Sequence, residues 1–138
     1  MAALARSKAS LRIFGDHLVP DEMTTLLGHE PSKAHIKGEK IPIGNASKHQ
    51  VATTGGWLLS APEAKPGDFD TQIDFILSKL TSDLAIWDKI SKKYRIDLFC
   101  GLFKDEEMEG IAISADCLSK LGDRQILIDL DIYGPVEE

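Results

Sequence analysis

A strand-and-helix pattern near the start of the chain recurs near its end. In residues 11–28 and again in residues 111–122, apolar and polar residues first alternate, as in a strand with one buried face. A turn and a short apolar-periodic helix follow in both segments. Each helix is predicted to end at a Leu-Gly pair, Leu27-Gly28 and Leu121-Gly122, because glycine tolerates the left-handed conformation that caps helices. Two such units, each followed by a return strand, favour a sheet with helices packed on it.

The order of the predicted elements is β-α-β-β-α-α-β-β-α-β. This order predicts the α+β class, with a mainly antiparallel sheet of about six strands, helices on one face and a relation to the ferredoxin-like plan. Residues 73–94 fit either two helices or one kinked helix, because Thr81-Ser82-Asp83 interrupts the apolar pattern. The predicted core residues lie on the apolar phase of their elements: Leu11, Ile13, Leu26, Trp87, Ile111, Leu118, Ile128 and Leu130.

The length of 138 residues suits one domain. We expect a single domain over residues 1–138, with a core from about residue 8 to residue 134 and flexible ends at residues 1–7 and 135–138. The least regular segment contains Gly38, Pro42 and Gly44, and it predicts a mobile loop over residues 37–54.

Charge and cysteine content restrict the partners and the compartment. The chain has 16 Lys and Arg against 22 Asp and Glu, a net charge of −6, so a nucleic-acid partner is not expected. Cys100 and Cys117 both lie in apolar patterns, which predicts buried free thiols and a reducing compartment. No signal-peptide core and no apolar stretch of ~20 residues is present, so we expect a cytoplasmic protein without a membrane partner.

The candidate binding residues lie on three predicted strands. On the last strand Asp129, Asp131 and Tyr133 share one side, and Asp97 and Phe99 share the corresponding side of an earlier strand. If these strands are neighbours, the open face of the sheet carries acids beside aromatic rings. The alternative is an ordinary solvated face of a sheet that is covered on one side only. Trp57 is a further candidate as a stacking platform, although a strand that buries one face could also place it in the core. The partner-binding set is Trp57, Asp97, Phe99, Asp129, Asp131 and Tyr133.

Patterns that would indicate catalysis are missing from the sequence. The four histidines lie in predicted loops or at element ends, without an i, i+4 pair or a cysteine at ligand spacing: His17, His29, His35 and His49. No serine lies in a Gly-x-Ser-x-Gly elbow, and Gly55-Gly56 lacks the lysine of a phosphate-binding loop. We therefore predict no catalytic residue, no metal site and no cofactor, and we favour a protein that is not an enzyme.

Several short motifs occur together in one order along the chain. They are Gly56-Trp57-x-Leu59-Ser60, Ile76-Leu77-x-x-Leu80, Tyr94-x-Ile96-Asp97-Leu98-x-Cys100, Leu118-x-x-Leu121-Gly122 and Asp131-Ile132-Tyr133. Their order and spacing resemble the bacterial family called domain of unknown function 4279, from about residue 10 to residue 133. The resemblance implies the fold boundaries and a prokaryotic cytoplasmic origin. That family brings no activity, ligand or catalytic residue with it.

Two hypotheses about function remain open. The first is a non-catalytic intracellular protein that recognises a protein partner, or a second copy of itself, and its form could be an acidic inhibitor or immunity-type factor. The second is a small-molecule-binding or hydrolytic domain, with a pocket near the loop over residues 37–54 and with Asp129 and Asp131 as its carboxylates. Negative charge favours the first hypothesis, and the long loop favours the second.

Overall fold

A computed structural model describes residues 2–44 and 48–135 of the chain and confirms the α+β class. The predicted helical region over residues 73–94 contains two separate helices. In chain order the elements are β1 (Ala2–Ala3), β2 (Arg6–Gly15), α1 (Pro20–Leu27), β3 (Lys33–His35), β4 (Lys40–Pro42), β5 (His49–Val51), β6 (Gly55–Ser60), α2 (Phe69–Lys79), α3 (Leu84–Ser91), β7 (Arg95–Phe103), β8 (Glu109–Gly110), α4 (Ala115–Asp123) and β9 (Leu127–Tyr133).

The main sheet has five strands in the order β3-β6-β2-β7-β9, where about six were expected. Its first three neighbouring pairs are antiparallel, and β7 and β9 are parallel, so the sheet is mixed. Because β6 and β7 both run antiparallel to β2, they run parallel to each other with β2 between them. This split βαβ arrangement is the part of the ferredoxin-like plan that the fold contains. Two small sheets, β1-β8 and β4-β5, complete the structure.

The two faces of the main sheet differ in what covers them. Leu11 and Ile13 of β2 point into a core to which all four helices contribute buried side chains. In the described part of the chain no helix covers the opposite face, which we call the open face. Strand registers place the following residues on it: Arg6, Lys8, Ser10, Arg12, Phe14, Lys33, His35, Leu58, Ser60, Arg95, Asp97, Phe99, Phe103, Leu127, Asp129, Asp131 and Tyr133.

Capping residues define the starts of three helices. Asp68 accepts a hydrogen bond from the Thr71 N–H and starts α2, and Ser114 accepts one from the Cys117 N–H and starts α4. Asp83 caps α3 in the same way. These side chains satisfy N–H groups that have no partner inside the helix.

Residues 2–7 contact the rest of the fold, and the flexibility of residues 1–7 stays a prediction. Leu4 is buried, and its carbonyl accepts a hydrogen bond from the Gly67 N–H. The Ser7 hydroxyl donates to Gln72 of α2 and accepts from the Asp68 N–H. Residues 136–138 of the expected C-terminal end lie outside the described residues.

The second strand–helix unit differs from its prediction at both ends. Residues 111–114 form no strand, and the preceding β8 pairs with β1 outside the main sheet. Gly122 lies inside α4 and does not cap it. The left-handed position falls three residues later, at Gln125, with a φ of 59°.

Two of the predicted core residues are exposed instead. Leu118 is 47% exposed because α4 buries Cys117 and Leu121, which lie four residues apart on one helical face. Leu130 is 49% exposed, since β9 lies at the edge of the sheet. The prediction is correct for Leu11, Ile13 and Trp87, which are fully buried, while three others are partly buried: Leu26, Ile111 and Ile128.

The segment predicted as a loop, residues 37–54, contains the hairpin β4-β5. Lys40 pairs with Val51 and Pro42 with His49, and residues 45–47 lie outside the described residues. Ala52 is buried and binds the backbone of Glu39. The mobility of this segment stays a prediction, which amide hydrogen exchange tests.

Candidate binding face

A partly buried ion pair lies at the centre of the open face. Arg12 and Asp97 are register partners on adjacent strands, so their side chains leave the sheet side by side. Arg12 Nε donates to Asp97 Oδ1 at 2.8 Å, and Arg12 Nη2 donates to Oδ2 at 2.9 Å. The Asp97 side chain is 0% exposed, whereas that of Arg12 is 24% exposed. The arginine thus covers the carboxylate with a bidentate bond, which fixes the orientation of the guanidinium.

Two aromatic rings flank the same guanidinium. The Arg12 Cζ atom lies 4.7 Å from the centroid of the Phe99 ring and 5.3 Å from that of Phe14. Hydrogen bonding to Asp97 raises the pKa of Arg12 above its ordinary value, although burial opposes the shift. Arg12 is therefore a permanently charged group that is held in position beside two aromatic rings.

Asp129 and Arg95 extend this network toward the edge of the sheet. Asp129 Oδ2 lies 3.4 Å from Arg12 Nη2 and 3.8 Å from Arg95 Nη2. Arg95 Nη2 also lies 3.6 Å from Asp97 Oδ2. Two arginines and two aspartates thus balance each other at the centre of the open face, and Asp131, one pleat further along β9, adds a negative charge beyond them.

A second cluster lies at the other end of β7. The Phe103 and Tyr133 rings stack with centroids 4.7 Å apart and an interplanar angle of 5°. Arg6 lies over the Phe103 ring at 4.1 Å, and Lys8 approaches the same ring at 5.5 Å. Beside the stack is a groove of about 770 Å³, lined in part by Arg6, Lys104 and Tyr133. The cluster exposes stacked aromatic surface next to positive charge.

The predicted binding residues divide into three groups. Phe99, Asp129, Asp131 and Tyr133 lie together on the open face, because β7 and β9 are neighbours. Asp97 lies on that face too, but it is buried beneath Arg12 and acts by positioning that residue. The third group is Trp57 alone, which lies in the core.

Trp57 lies on the covered face of β6 and is fully buried. Its indole N–H donates to the Thr24 hydroxyl at 3.1 Å, which satisfies the polar end of the ring inside the protein. It has no surface with which to contact a partner, and we leave it out of the candidate site. The sequence does not distinguish the two faces of a strand that follows Gly55-Gly56, because only its packing shows which side the helices cover.

The basic residues of the open face were not among the binding residues predicted from the sequence. Arg6, Lys8 and Arg12 occupy alternate positions of β2, and Arg95 begins β7. The period-2 spacing of the basic residues in residues 6–12 is a signal that could have identified them. Their pairing with Asp97 and Asp129 required the strand order.

The carboxylates and the loop of the small-molecule hypothesis do not form one site. Residues 37–54 follow β3 at one edge of the sheet, and Asp129 and Asp131 lie on β9 at the other. Four strand spacings separate the two edges, roughly 19 Å. A separate pocket of about 410 Å³ does lie beside the hairpin, with Lys33, His35 and Lys40 among its lining residues.

Other sources of chemistry are equally limited in the described residues. Within residues 2–44 and 48–135, no group of three or more His, Cys, Asp or Glu is placed to hold a metal ion. Burial raises the pKa of Cys100 to about 12, and burial likewise raises the pKa of Cys117. Neither thiol is a ready nucleophile, because the thiolate is the reactive form.

The helices in the described ranges are all too short or too polar to span a membrane.

The chain matches the model of a protein family over almost its whole length. The model of the family described as domain of unknown function (DUF4279) matches residues 5–135. The chain belongs to this family. Among curated proteins and among solved structures, no significant match to the chain was found. DUF4279 membership therefore establishes the relationship suggested by the ordered motifs, and the function has to be argued from the site.

Proposed function

We propose that this DUF4279 chain is a non-catalytic intracellular binding domain that recognises a protein partner through its open face. The observation that carries the proposal is the arrangement of arginines and aromatic rings on an uncovered sheet face. Arg12 lies between Phe14 and Phe99, and Arg6 lies over the stacked pair of Phe103 and Tyr133. Aromatic residues and arginine are the residue types that supply most of the binding energy at protein interfaces.

Preorganisation of these side chains supports the same function. A flexible arginine loses conformational entropy when a partner immobilises it, which reduces affinity. Here the bidentate bond to Asp97 and the flanking rings already hold Arg12 in place. The open face thus presents its charged and aromatic groups in fixed positions before binding. An immunity- or inhibitor-type role is one form of this function, and the net charge of −6 suits a basic partner.

The test is affinity capture from the organism that encodes the chain, followed by measurement on the purified pair. We expect a stoichiometric partner whose affinity falls at least about tenfold in the Arg6→Ala and Tyr133→Ala variants, as is typical of hot-spot residues. Lys89→Ala is the matched control, because Lys89 is an exposed cation on α3, away from the open face. A partner whose affinity depends on Lys89 and on neither open-face residue contradicts the proposal.

A second candidate function, small-molecule binding, is favoured by the pocket of about 410 Å³ beside the β4-β5 hairpin. Its lining side chains include Lys33, His35 and Glu39, which could hydrogen-bond a polar ligand. A thermal-shift screen of metabolites tests it, because a ligand that binds only the folded state raises the melting temperature. Loss of the shift in His35→Ala would assign the ligand to this pocket.

A further inference from the structure

Strand β9 forms an edge of the main sheet and exposes an unusual amount of apolar surface. Within the described residues it has one strand neighbour, β7. Four of its seven residues are large, exposed hydrophobic side chains: Leu127, Leu130, Ile132 and Tyr133. Ile132 alone is 63% exposed. Edge strands usually avoid such surfaces, because unpaired backbone groups beside apolar side chains invite another strand to pair.

The hydrogen bonds to β7 show which backbone groups of β9 point outward. The Tyr133 carbonyl accepts a hydrogen bond from the Lys104 N–H, so the backbone of Tyr133 is directed toward β7. The N–H and C=O of one strand residue point to the same side, and alternate residues point to opposite sides. The outward groups therefore belong to Ile128, Leu130 and Ile132, and they form a row at the edge of the sheet.

We propose that β9 is a docking edge that an extended segment of a partner protein joins as a sixth strand. Outward backbone groups would pair with that segment, as in other cases of strand addition. Side chains of the segment that lie opposite Leu130 and Ile132 fall on the helix-covered side of the sheet and would be apolar. Those that lie opposite Asp129 and Asp131 fall on the open face and would be Lys or Arg. The partner segment therefore alternates apolar and basic residues.

A second copy of the chain is a poor occupant of this edge. Antiparallel pairing of β9 with itself, centred on Leu130, places Asp129 directly opposite Asp131. A shift of two residues in one direction places Asp129 opposite Asp129, and in the other direction Asp131 opposite Asp131. Like charges in directly opposed cross-strand positions destabilise a sheet. The acidic positions thus disfavour self-pairing and favour a basic segment.

Charge around the edge supports the same occupant. Asp129 is partly balanced by Arg12 and Arg95, whereas Asp131 has a hydrogen bond from the Tyr133 hydroxyl at 3.4 Å and no ion pair among the described residues. The chain as a whole carries a net charge of −6. A basic segment would therefore be attracted over a distance and would neutralise Asp131 on docking.

The experiment uses a labelled peptide of about nine residues that alternates Lys and Val, which is long enough to cover one strand. Fluorescence anisotropy measures its affinity for the full chain. Two further peptides carry N-methyl groups, one on the Val amides and one on the Lys amides. In an added strand one of these two sets of amides points toward β9 and the other away from it. We expect one methylated peptide to lose at least about tenfold in affinity while the other keeps its affinity, since N-methylation removes the pairing donor.

Protein variants locate the binding. Ile132→Pro removes one outward N–H and leaves the bonds to β7 in place, so we expect a loss of about tenfold. Asp131→Asn should lower affinity severalfold and reduce its dependence on salt. Lys89→Ala is the control on α3. Melting temperatures verify that each variant folds. If Ile132→Pro does not fold, the methylated peptides test the backbone pairing without it.

The possible outcomes separate this inference from the proposed function, on which it rests. Equal affinities of the two methylated peptides, or binding that Asp131→Asn leaves unchanged, overturn the docking edge. A protein partner that depends on Arg6 but does not protect the β9 amides from hydrogen exchange overturns it too, while the proposed function stands. A loss of affinity with only one methylated peptide, together with perturbation of the β9 amide signals in NMR spectra, supports the docking edge.

Discussion

Helices α1 and α4 follow similar sequence patterns, yet they end in different ways. The first ends at Gly28, whose φ is 82° and whose N–H bonds the Thr24 carbonyl. The second continues through Gly122, and its left-handed residue is Gln125. There the Ile126 N–H bonds the Leu121 carbonyl and the Gln125 N–H bonds the Gly122 carbonyl, which is the pattern of a Schellman motif.

The difference shows that a Leu-Gly pair ends a helix only where packing also turns the chain. In the Schellman motif an apolar residue follows the left-handed position and packs back on the helix. Ile126 is that residue, and it is buried in the core. Burial of Ile126 thus offsets the cost of placing a non-glycine residue at Gln125. In α1 the chain turns at the glycine itself, and no such compensation is needed.

The largest expected effect distinguishes two leucines of α4. Leu121→Ala should lower the free energy of unfolding by roughly 2–5 kcal/mol, because it opens a cavity in the core. Leu118→Ala should change it by less than about 0.5 kcal/mol, since Leu118 is largely exposed. Urea denaturation of both variants measures the difference. Equal losses at the two positions would mean that the buried face of α4 is wrongly assigned.

The next largest effect on the free energy of unfolding is expected for Gly28→Ala at the end of α1. An L-residue in the left-handed region costs about 1–2 kcal/mol, and no atom within 4 Å of the added Cβ could compensate. The free energy of unfolding should fall by about that amount. Thermal and urea unfolding should agree on the loss, and a neutral or stabilising result would contradict the left-handed cap.

The matched change in α4, Gly122→Ala, should have the opposite sign. Gly122 lies inside the helix, and its added Cβ also meets nothing within 4 Å. Alanine should therefore stabilise the protein by about 0.5–1 kcal/mol, because glycine loses more backbone entropy on folding. If Gly122→Ala destabilises as Gly28→Ala does, the two helices end alike after all.

Gln125→Gly is expected to give the smallest effect on stability of these helix-end variants. Glycine relieves the left-handed strain at φ 59°, but it also gives the unfolded chain more freedom. We expect a net stabilisation of at most about 1 kcal/mol. Gln125→Ala, which keeps a Cβ, is the control and should not stabilise. A loss of stability in Gln125→Gly would show that the added freedom of the unfolded chain and the lost side-chain bond from Gln125 to Asp88 together outweigh the strain.

Some of the candidate site follows from local pattern alone. The shared side of Asp129, Asp131 and Tyr133 requires only the period of a strand, and so does that of Asp97 and Phe99. These two groups of residues form one surface only if β7 and β9 are neighbours, and the fold places the two strands side by side. Burial of Asp97 and the cover that Arg12 provides depend on β2 lying next to β7, which brings together residues 85 positions apart.

The sequence by itself determined the α+β class and the alternation of side chains between the two faces of the long strands, because helix and strand patterns depend on neighbours within a few residues. Only the tertiary structure decided the strand order, the true end of α4 and the core position of Trp57. It also decided that β9 is an edge, where Leu130 and Ile132 stay exposed. Each of these features depends on which apolar surfaces pack together. The free energy of that packing comes from contacts between segments that are distant in the chain.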